Sequence, residues 1–232
     1  DDFVNILCFI DNNKETNLVD IGANIGEFTK DFLEFFPHTK SIILFEPLKH
    51  LNDQIRKNLS GYKFELINKA VGNKNEFDSI SYKIKETKMA SLKKYVNLEN
   101  NKDLESDNLD KNNIVNENIE VVRLNDFEIL ARKQYVLKID VQGFELDVIE
   151  GASKCLNYFD LVILECSFAK QYENTDPSFS KIVELLEKSS LYPVIFQTYG
   201  DKISTYAFER DVIFVKKELL DKIFYKNYDN IK

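Results

Sequence analysis

The sequence predicts an α/β protein built on an open, doubly wound sheet, and two stretches carry that expectation. The first is Leu18-Val19-Asp20-Ile21-Gly22-Ala23-Asn24-Ile25-Gly26-Glu27-Phe28. An apolar run gives way to a turn of small residues. The apolar positions then switch to helical spacing at Ile25, Phe28, Phe32 and Phe36. The second stretch is Tyr135 to Ala152. A buried-strand pattern ends at Asp140, and a helix begins near Gly143 with Glu145 and Asp147 in its first turn, where the helix dipole favours acids. Strand, turn, helix is the repeating unit of a sheet whose ligands lie beyond the carboxyl ends of its strands.

The first turn also constrains the ligand. A dinucleotide site is expected to read G-x-G-x-x-G, whereas this chain has Gly22-x-x-x-Gly26 with Ala23 and Asn24 between. Gly and Asn are the residues that most cheaply enter left-handed backbone conformations. Asp20, at the strand end, repels phosphate and suits a ligand with a cationic head. The next strand, Ser41-Ile42-Ile43-Leu44-Phe45, ends at Glu46, where an acid is expected to bind ribose hydroxyls. Two carboxylates beside a close-approach turn describe a pocket for S-adenosylmethionine.

The elements follow in order. Phe3 to Ile10 packs on the sheet as a short helix or strand, before the polar loop Asp11 to Lys14. Pro37-His38-Thr39 ends the first helix. Pro47 suits a helix start, and Leu48, Leu51, Ile55 and Leu59 form one apolar stripe stopped by Gly61. Tyr62 to Val71 reads as a third strand, whose end at Ala70 and Val71 borders the adenine position. Ser79 to Ile84 alternates like a half-exposed strand. Residues 97–118 are rich in Asn, Asp, Glu and Lys and read as an exposed insertion, either a lid or a tolerated surface loop. A strand, Ile119 to Leu124, and a short helix, Asn125 to Arg132, precede the second stretch. Leu161 to Glu165 is another buried strand ending in an acid, and Asp176-Pro177 caps a helix with Phe179, Ile182 and Leu186 on its inner face. Val194 to Thr198 and Val212 to Val215 make the antiparallel end of the sheet, and a Lys-rich amphipathic tail runs from Lys216 to Tyr228.

The 232 residues are read as a single domain, 1–232, with ordinary hydrophobic (44%) and charged (30%) content. A net charge of −8 and the lack of a concentrated basic face argue against nucleic acid as a partner. No apolar run reaches the length of a membrane span, and no signal-peptide pattern stands at the start. Cys8, Cys155 and Cys166 are widely spaced, with no C-x-x-C pair; Cys155 and Cys166, in apolar context, read as reduced core residues, which fits a cytoplasmic setting.

Val19-Asp20-Ile21-Gly22-Ala23-Asn24-Ile25-Gly26, Phe45-Glu46-Pro47, Ala70-Val71-Gly72, Leu137-Lys138-Ile139-Asp140-Val141-Gln142-Gly143-Phe144-Glu145 and Glu150-Gly151-Ala152 together resemble the FkbM-type methyltransferases. The resemblance runs from about Asn17 to Phe168, with a weaker echo to Val215. It implies a Rossmann-like mixed sheet of seven main strands with an antiparallel last strand and helices on both faces. It also implies S-adenosylmethionine as cofactor and methyl transfer, usually to a hydroxyl oxygen of a polyketide, sugar or glycan component. The family usually carries a glutamate where this chain has Gln142.

The cofactor-binding candidates are Asp20, Gly22, Ala23, Asn24, Gly26, Glu46, Pro47, Ala70, Val71 and Asp140. The catalytic candidates are Asp140, Glu145 and Glu165, with Asp140 preferred as base or acceptor anchor. His38 and His50 read as surface residues, and Ser91 as a residue on the acceptor side or a turn hydroxyl. Asp140 and Glu165 lack the dense ligand spacing of a metal site, so none is assigned. Two other readings compete: a non-catalytic module that binds the same cofactor, and a nicotinamide-dependent oxidoreductase, which Asp20 and the glycine spacing disfavour.

Overall fold

The computed structural model describes residue 6 and residues 9–83, 86–91, 114–128, 134–168, 179–196 and 209–222. Among the described residues, eleven strands form two sheets. The main sheet contains β1 (Thr16–Ile21), β2 (Thr39–Phe45), β3 (Glu65–Ile67), β8 (Tyr135–Ile139), β9 (Leu161–Ser167), β10 (Leu191–Phe196) and β11 (Glu209–Lys216). Their spatial order is β10-β11-β9-β8-β1-β2-β3. All run parallel except β11, which lies antiparallel between β9 and β10. The expected seven-stranded sheet with a reversed last strand is therefore present. The order reverses between β1 and β8, which opens a crevice at their carboxyl ends.

Both faces of this sheet are covered, as the period-two alternation of its side chains records. Leu18 of β1, Val136 of β8, Leu161 and Ile163 of β9, and Ile213 and Val215 of β11 point to one face. They pack there with Phe32 of α1 (Glu27–Phe35) and with Phe36. Val19 and Ile21, Leu137 and Ile139, Val162 and Leu164, and Val212 and Phe214 point to the other. There they meet Val148 and Ile149 of α3 (Glu145–Gly151) and Ile182 and Leu186 of α4 (Phe179–Glu187). The stripe Leu48, Leu51, Ile55 and Leu59 is buried, and it spans a 3-10 turn (Lys49–Leu51) and α2 (Asn52–Asn58).

The smaller sheet, in the order β4-β7-β5-β6, contains β4 (Ala70–Val71), β5 (Glu76–Lys83), β6 (Glu86–Ser91) and β7 (Ile114–Val122). Three sequence expectations change here. The third strand is not continuous from Tyr62 to Val71 but splits into β3 and β4, which belong to different sheets. Asn68 makes the pivot: its side chain exchanges hydrogen bonds with Asn52, and its Nδ2 also donates to the Glu46 carbonyl at 3.0 Å. The strand expected over Ile119 to Leu124 begins at Ile114, because β7 pairs with β5 from Ile114 to Val121. Residues 114–118 therefore belong to a ladder, while 97–113 lie outside the described residues. The short helix expected over Asn125 to Arg132 is a single 3-10 turn, Leu124–Asp126, within the residues described. Main and smaller sheets meet where α3 passes β4: a Cβ on Gly151 would lie 1.8 Å from the carbonyl oxygen of Gly72, so only glycine permits this approach.

Cys155 and Cys166 are buried and unpaired with each other, and burial pushes the Cys155 thiol up to about 12. Cys8, the Asp176-Pro177 cap and the tail beyond residue 222 lie outside the described residues. No helix among the described residues is long and apolar enough to cross a membrane.

Candidate active site

The carboxyl ends of β1, β2 and β8 border a cleft of about 330 Å³. Its floor is the turn after β1. The amides of Gly22 and Ala23 both donate to the Phe45 carbonyl, at 2.9 and 3.1 Å, and the Asp140 amide donates to the Ile21 carbonyl at 3.0 Å. These bonds lash the three strand ends together. Asn24 (φ 49), Gly22 (φ 82) and Gly26 (φ 79) are all left-handed, as the small-residue composition of the turn anticipated.

The acids at the strand tips are buried and held by donors. Asp20 is 1% exposed and accepts a 2.6 Å hydrogen bond from the Thr29 hydroxyl. Burial raises its carboxyl to about 6, against the opposing pull of Thr29 and the Lys138 charge. Glu46 is 5% exposed; its two oxygens accept the Asn24 amide at 2.8 Å and the Leu48 amide at 2.9 Å. Burial raises it to about 7, again against those two bonds. Asp140 stands at the switch point of the sheet. Its Oδ2 lies 3.4 Å from Lys138 Nζ, and its Oδ1 accepts from Gln142 Nε2 at 3.0 Å.

Of the sequence candidates, Asp20, Gly22, Ala23, Asn24, Glu46, Pro47, Ala70, Val71 and Asp140 all line the cleft. Gly26 lies just behind the turn, and its amide donates to the Ala23 carbonyl at 2.8 Å. Glu165, on β9, accepts from Gln142 Nε2 at 3.1 Å and is not part of the cleft wall. Glu145 sits beneath the wall, 3% exposed, where its Oε1 accepts the amides of Gly143 at 3.0 Å and Val141 at 3.3 Å. It braces the turn that presents Asp140. His38 and His50 are exposed and outside the cleft. The side chain of Ser91 is outside the described residues.

Further lining residues, not among those candidates, include Phe28, Lys69, Lys138 and Phe144. Lys138 is the most consequential. It is 5% exposed, within 4.0 Å of Asp211 as well as 3.4 Å from Asp140, and its ammonium lies 5.7 Å from the centroid of Phe28. Burial alone would lower its pKa; the charges of Asp140, Asp211, Asp20 and Glu165 outweigh burial and raise it. It is the cation that lets several acids share one crevice. Lys69 is engaged with Glu120 at 2.6 Å. Among the described residues, no group of three or more His, Cys, Asp or Glu is arranged to hold a metal ion.

Burial also raises Glu145 to about 7, and the sign of its effect on stability follows. The folded pKa exceeds the unfolded one, so its contribution is most favourable below about pH 4.5 and is lost as pH rises through about 7. Gln at this position keeps a carbonyl acceptor for the Gly143 and Val141 amides and removes the charge. The melting temperature of Glu145→Gln relative to wild type is therefore expected to rise between pH 5 and pH 8, by roughly 2–4 °C for each kcal/mol recovered. A difference that stays flat in thermal melts across that range contradicts this assignment.

The methyltransferase FkbM domain model matches residues 20–193. A search of curated proteins returned no match. Among solved structures, a fibrillarin pre-rRNA processing protein from Methanococcus jannaschii is 12% identical over 90% of this chain and 69% of its own, with a TM-score of 0.48. A ribosomal protein L11 methylase from Lactobacillus delbrueckii subsp. bulgaricus is 12% identical over 88% and 71%, with a TM-score of 0.44. An O-methyltransferase family protein from Burkholderia thailandensis is 10% identical over 93% and 55%, with a TM-score of 0.48. These structural likenesses are too distant to carry an argument about substrate.

Proposed function

The chain belongs to the FkbM methyltransferase family, and from that premise we propose that it transfers the methyl group of S-adenosylmethionine to a hydroxyl oxygen of a small molecule or of a sugar or glycan component. The observation that carries the cofactor is the pair of buried acids, Asp20 and Glu46, flanking a left-handed turn at adjacent strand tips. The residues present fit the group. Glu46 has lone pairs beyond those used by Asn24 and Leu48 and offers them to ribose hydroxyls. Asp20 and Asp140 favour a cationic head. Gly22, Ala23, Asn24 and Gly26 shape the close-approach turn, and Pro47, Ala70 and Val71 form the apolar wall for adenine.

When bound, this cofactor supplies a methyl carbon already activated by its sulfonium. The chain must then align the acceptor oxygen and receive its proton. Asp140 is our candidate for receiving that proton, because its side chain is 42% exposed at the cleft, unlike the sequestered Glu145. We read Glu145 as the brace of the turn and Glu165 as a partner of Gln142. Phe28 and Phe144 supply apolar surface against water at the reacting end. The net charge of −8 and the acidic cleft support a neutral acceptor rather than nucleic acid. The cysteine usage supports a cytoplasmic setting.

Calorimetric titration with S-adenosylmethionine, set beside NAD, followed by a radiolabelled methyl-transfer assay on a panel of hydroxylated acceptors, tests this reading. Saturation by the first cofactor and label on an acceptor oxygen are expected. Binding of NAD alone removes the cofactor assignment, and binding without transfer to any acceptor favours a non-catalytic module.

A further inference from the structure

Just beyond β8 the chain takes two consecutive left-handed residues, Gln142 (φ 54) and Gly143 (φ 95). Glycine adopts this conformation freely, whereas a residue with a Cβ is disfavoured in it. Here the strain accompanies a specific contact. Gln142 Nε2 donates to Asp140 Oδ1 at 3.0 Å and to Glu165 Oε2 at 3.1 Å. A primary amide has two N–H donors, enough to give one to the acid after β8 and one to the acid on β9. The other oxygen of Asp140 faces Lys138 at 3.4 Å.

We propose that Gln142 is a positioning residue whose side-chain amide clamps the Asp140 carboxylate to Glu165 and so fixes the direction from which Asp140 meets the acceptor. This rests on the reading of Asp140 as the acceptor's base or anchor. A carboxylate at position 142 could not do the same at neutral pH. It has no hydrogen to donate, and three acids would converge. A proton would then have to fill the place that the amide hydrogens hold at every pH. The surrounding charges sharpen the contrast. Lys138 is the cation that feels Asp140, Glu165, Asp211 and Asp20. Glu145 on α3 and Asp20 on β1 feel Asp140, and the buried Cys166 thiol feels Glu165, Asp211 and Glu145. The neighbourhood is predominantly acidic, so an added carboxyl there holds its proton to higher pH than in water.

The test is Gln142→Glu in the full chain, with a chelator present so that no cation replaces the proton. One arm needs no acceptor. The variant's melting temperature is expected to fall several degrees below wild type at pH 8, with the deficit roughly halved by pH 5.5 as the added carboxyl protonates. In the second arm, turnover relative to wild type is expected to fall about tenfold or more at pH 8 and to recover about threefold or more by pH 6. The Kd for S-adenosylmethionine should stay within about threefold, so that the loss appears in kcat. A melting deficit that does not change with pH, an activity ratio that is flat, or a loss of cofactor binding overturns the clamp. Asp140→Asn separates this from the underlying reading: full turnover in that variant removes Asp140 as base or anchor, while the melting arm still reports independently on the amide bridge.

Discussion

Gly22→Val is expected to abolish S-adenosylmethionine binding, raising Kd by about a hundredfold or more, and to lower the melting temperature. The cause is a close approach. A Cβ on Gly22 would lie 1.9 Å from the carbonyl oxygen of Asp140 and 2.9 Å from its carbonyl carbon. That neighbour is backbone, fixed by the parallel pairing of β1 with β8 and by the hydrogen bond from the Asp140 amide to Ile21. It has no rotamer with which to yield, so the strand ends must part and the floor of the cleft moves with them. A left-handed φ of 82 adds roughly 1–2 kcal/mol for any side chain. Gly26→Ala is the informative comparison. It carries nearly the same backbone cost at φ 79, but its Cβ would meet only side chains, the nearest being Leu59 at 3.4 Å. Calorimetry should show a far smaller loss of affinity for Gly26→Ala. Equal losses would mean that backbone conformation, not the Asp140 approach, governs the turn, and normal binding by Gly22→Val would remove the turn from the cofactor site.

What the sequence disclosed, and what it concealed, divides along the range of the interactions. Strands β1 and β8 are buried on both faces, so Leu18, Val19 and Ile21 and Val136, Leu137 and Ile139 report that burial through their apolarity, and the acids at the strand ends mark the crevice. The break between β3 and β4 is hidden because Asn68 pivots the chain through hydrogen bonds to Asn52 and to the Glu46 backbone. No glycine or proline marks the spot. The polar first half of β7 reads as loop because its strand character comes from distant pairing with β5, where half its side chains face solvent. Lys138 shows the same limit at the site. A lysine inside an apolar strand looks like an exposed exception until Asp211 arrives from β11, a strand inserted between β9 and β10. Glu145 lies beneath the cleft wall for a local reason. The strand-to-helix turn is tight enough for its carboxylate to reach back to the amides of Gly143 and Val141, which takes it out of the cleft.

Asp140→Asn separates the two jobs that this residue is expected to hold. Its backbone is expected to support the cofactor turn, because its carbonyl is the surface against which Gly22 packs. Its side chain is the part proposed to receive the acceptor's proton. Asparagine leaves the backbone and the side-chain volume in place, so the Kd for S-adenosylmethionine is expected to change by no more than about threefold. The acceptor proton then has no carboxylate to enter, and kcat is expected to fall by about 10²–10⁴-fold, the usual worth of a positioned acid–base group. Part of the loss is geometric. Asparagine has one acceptor oxygen where aspartate offers two, so it cannot satisfy both Lys138 at 3.4 Å and Gln142 at 3.0 Å. Asp140→Glu distinguishes the two causes. It keeps a carboxylate to take the proton but displaces it by one methylene, so loss of a base leaves Asp140→Glu well above Asp140→Asn in kcat, whereas loss of position lowers both alike. Single-turnover rates of the two variants beside wild type give that comparison directly. If both variants fall equally, the proton goes elsewhere and Asp140 serves only to orient the acceptor.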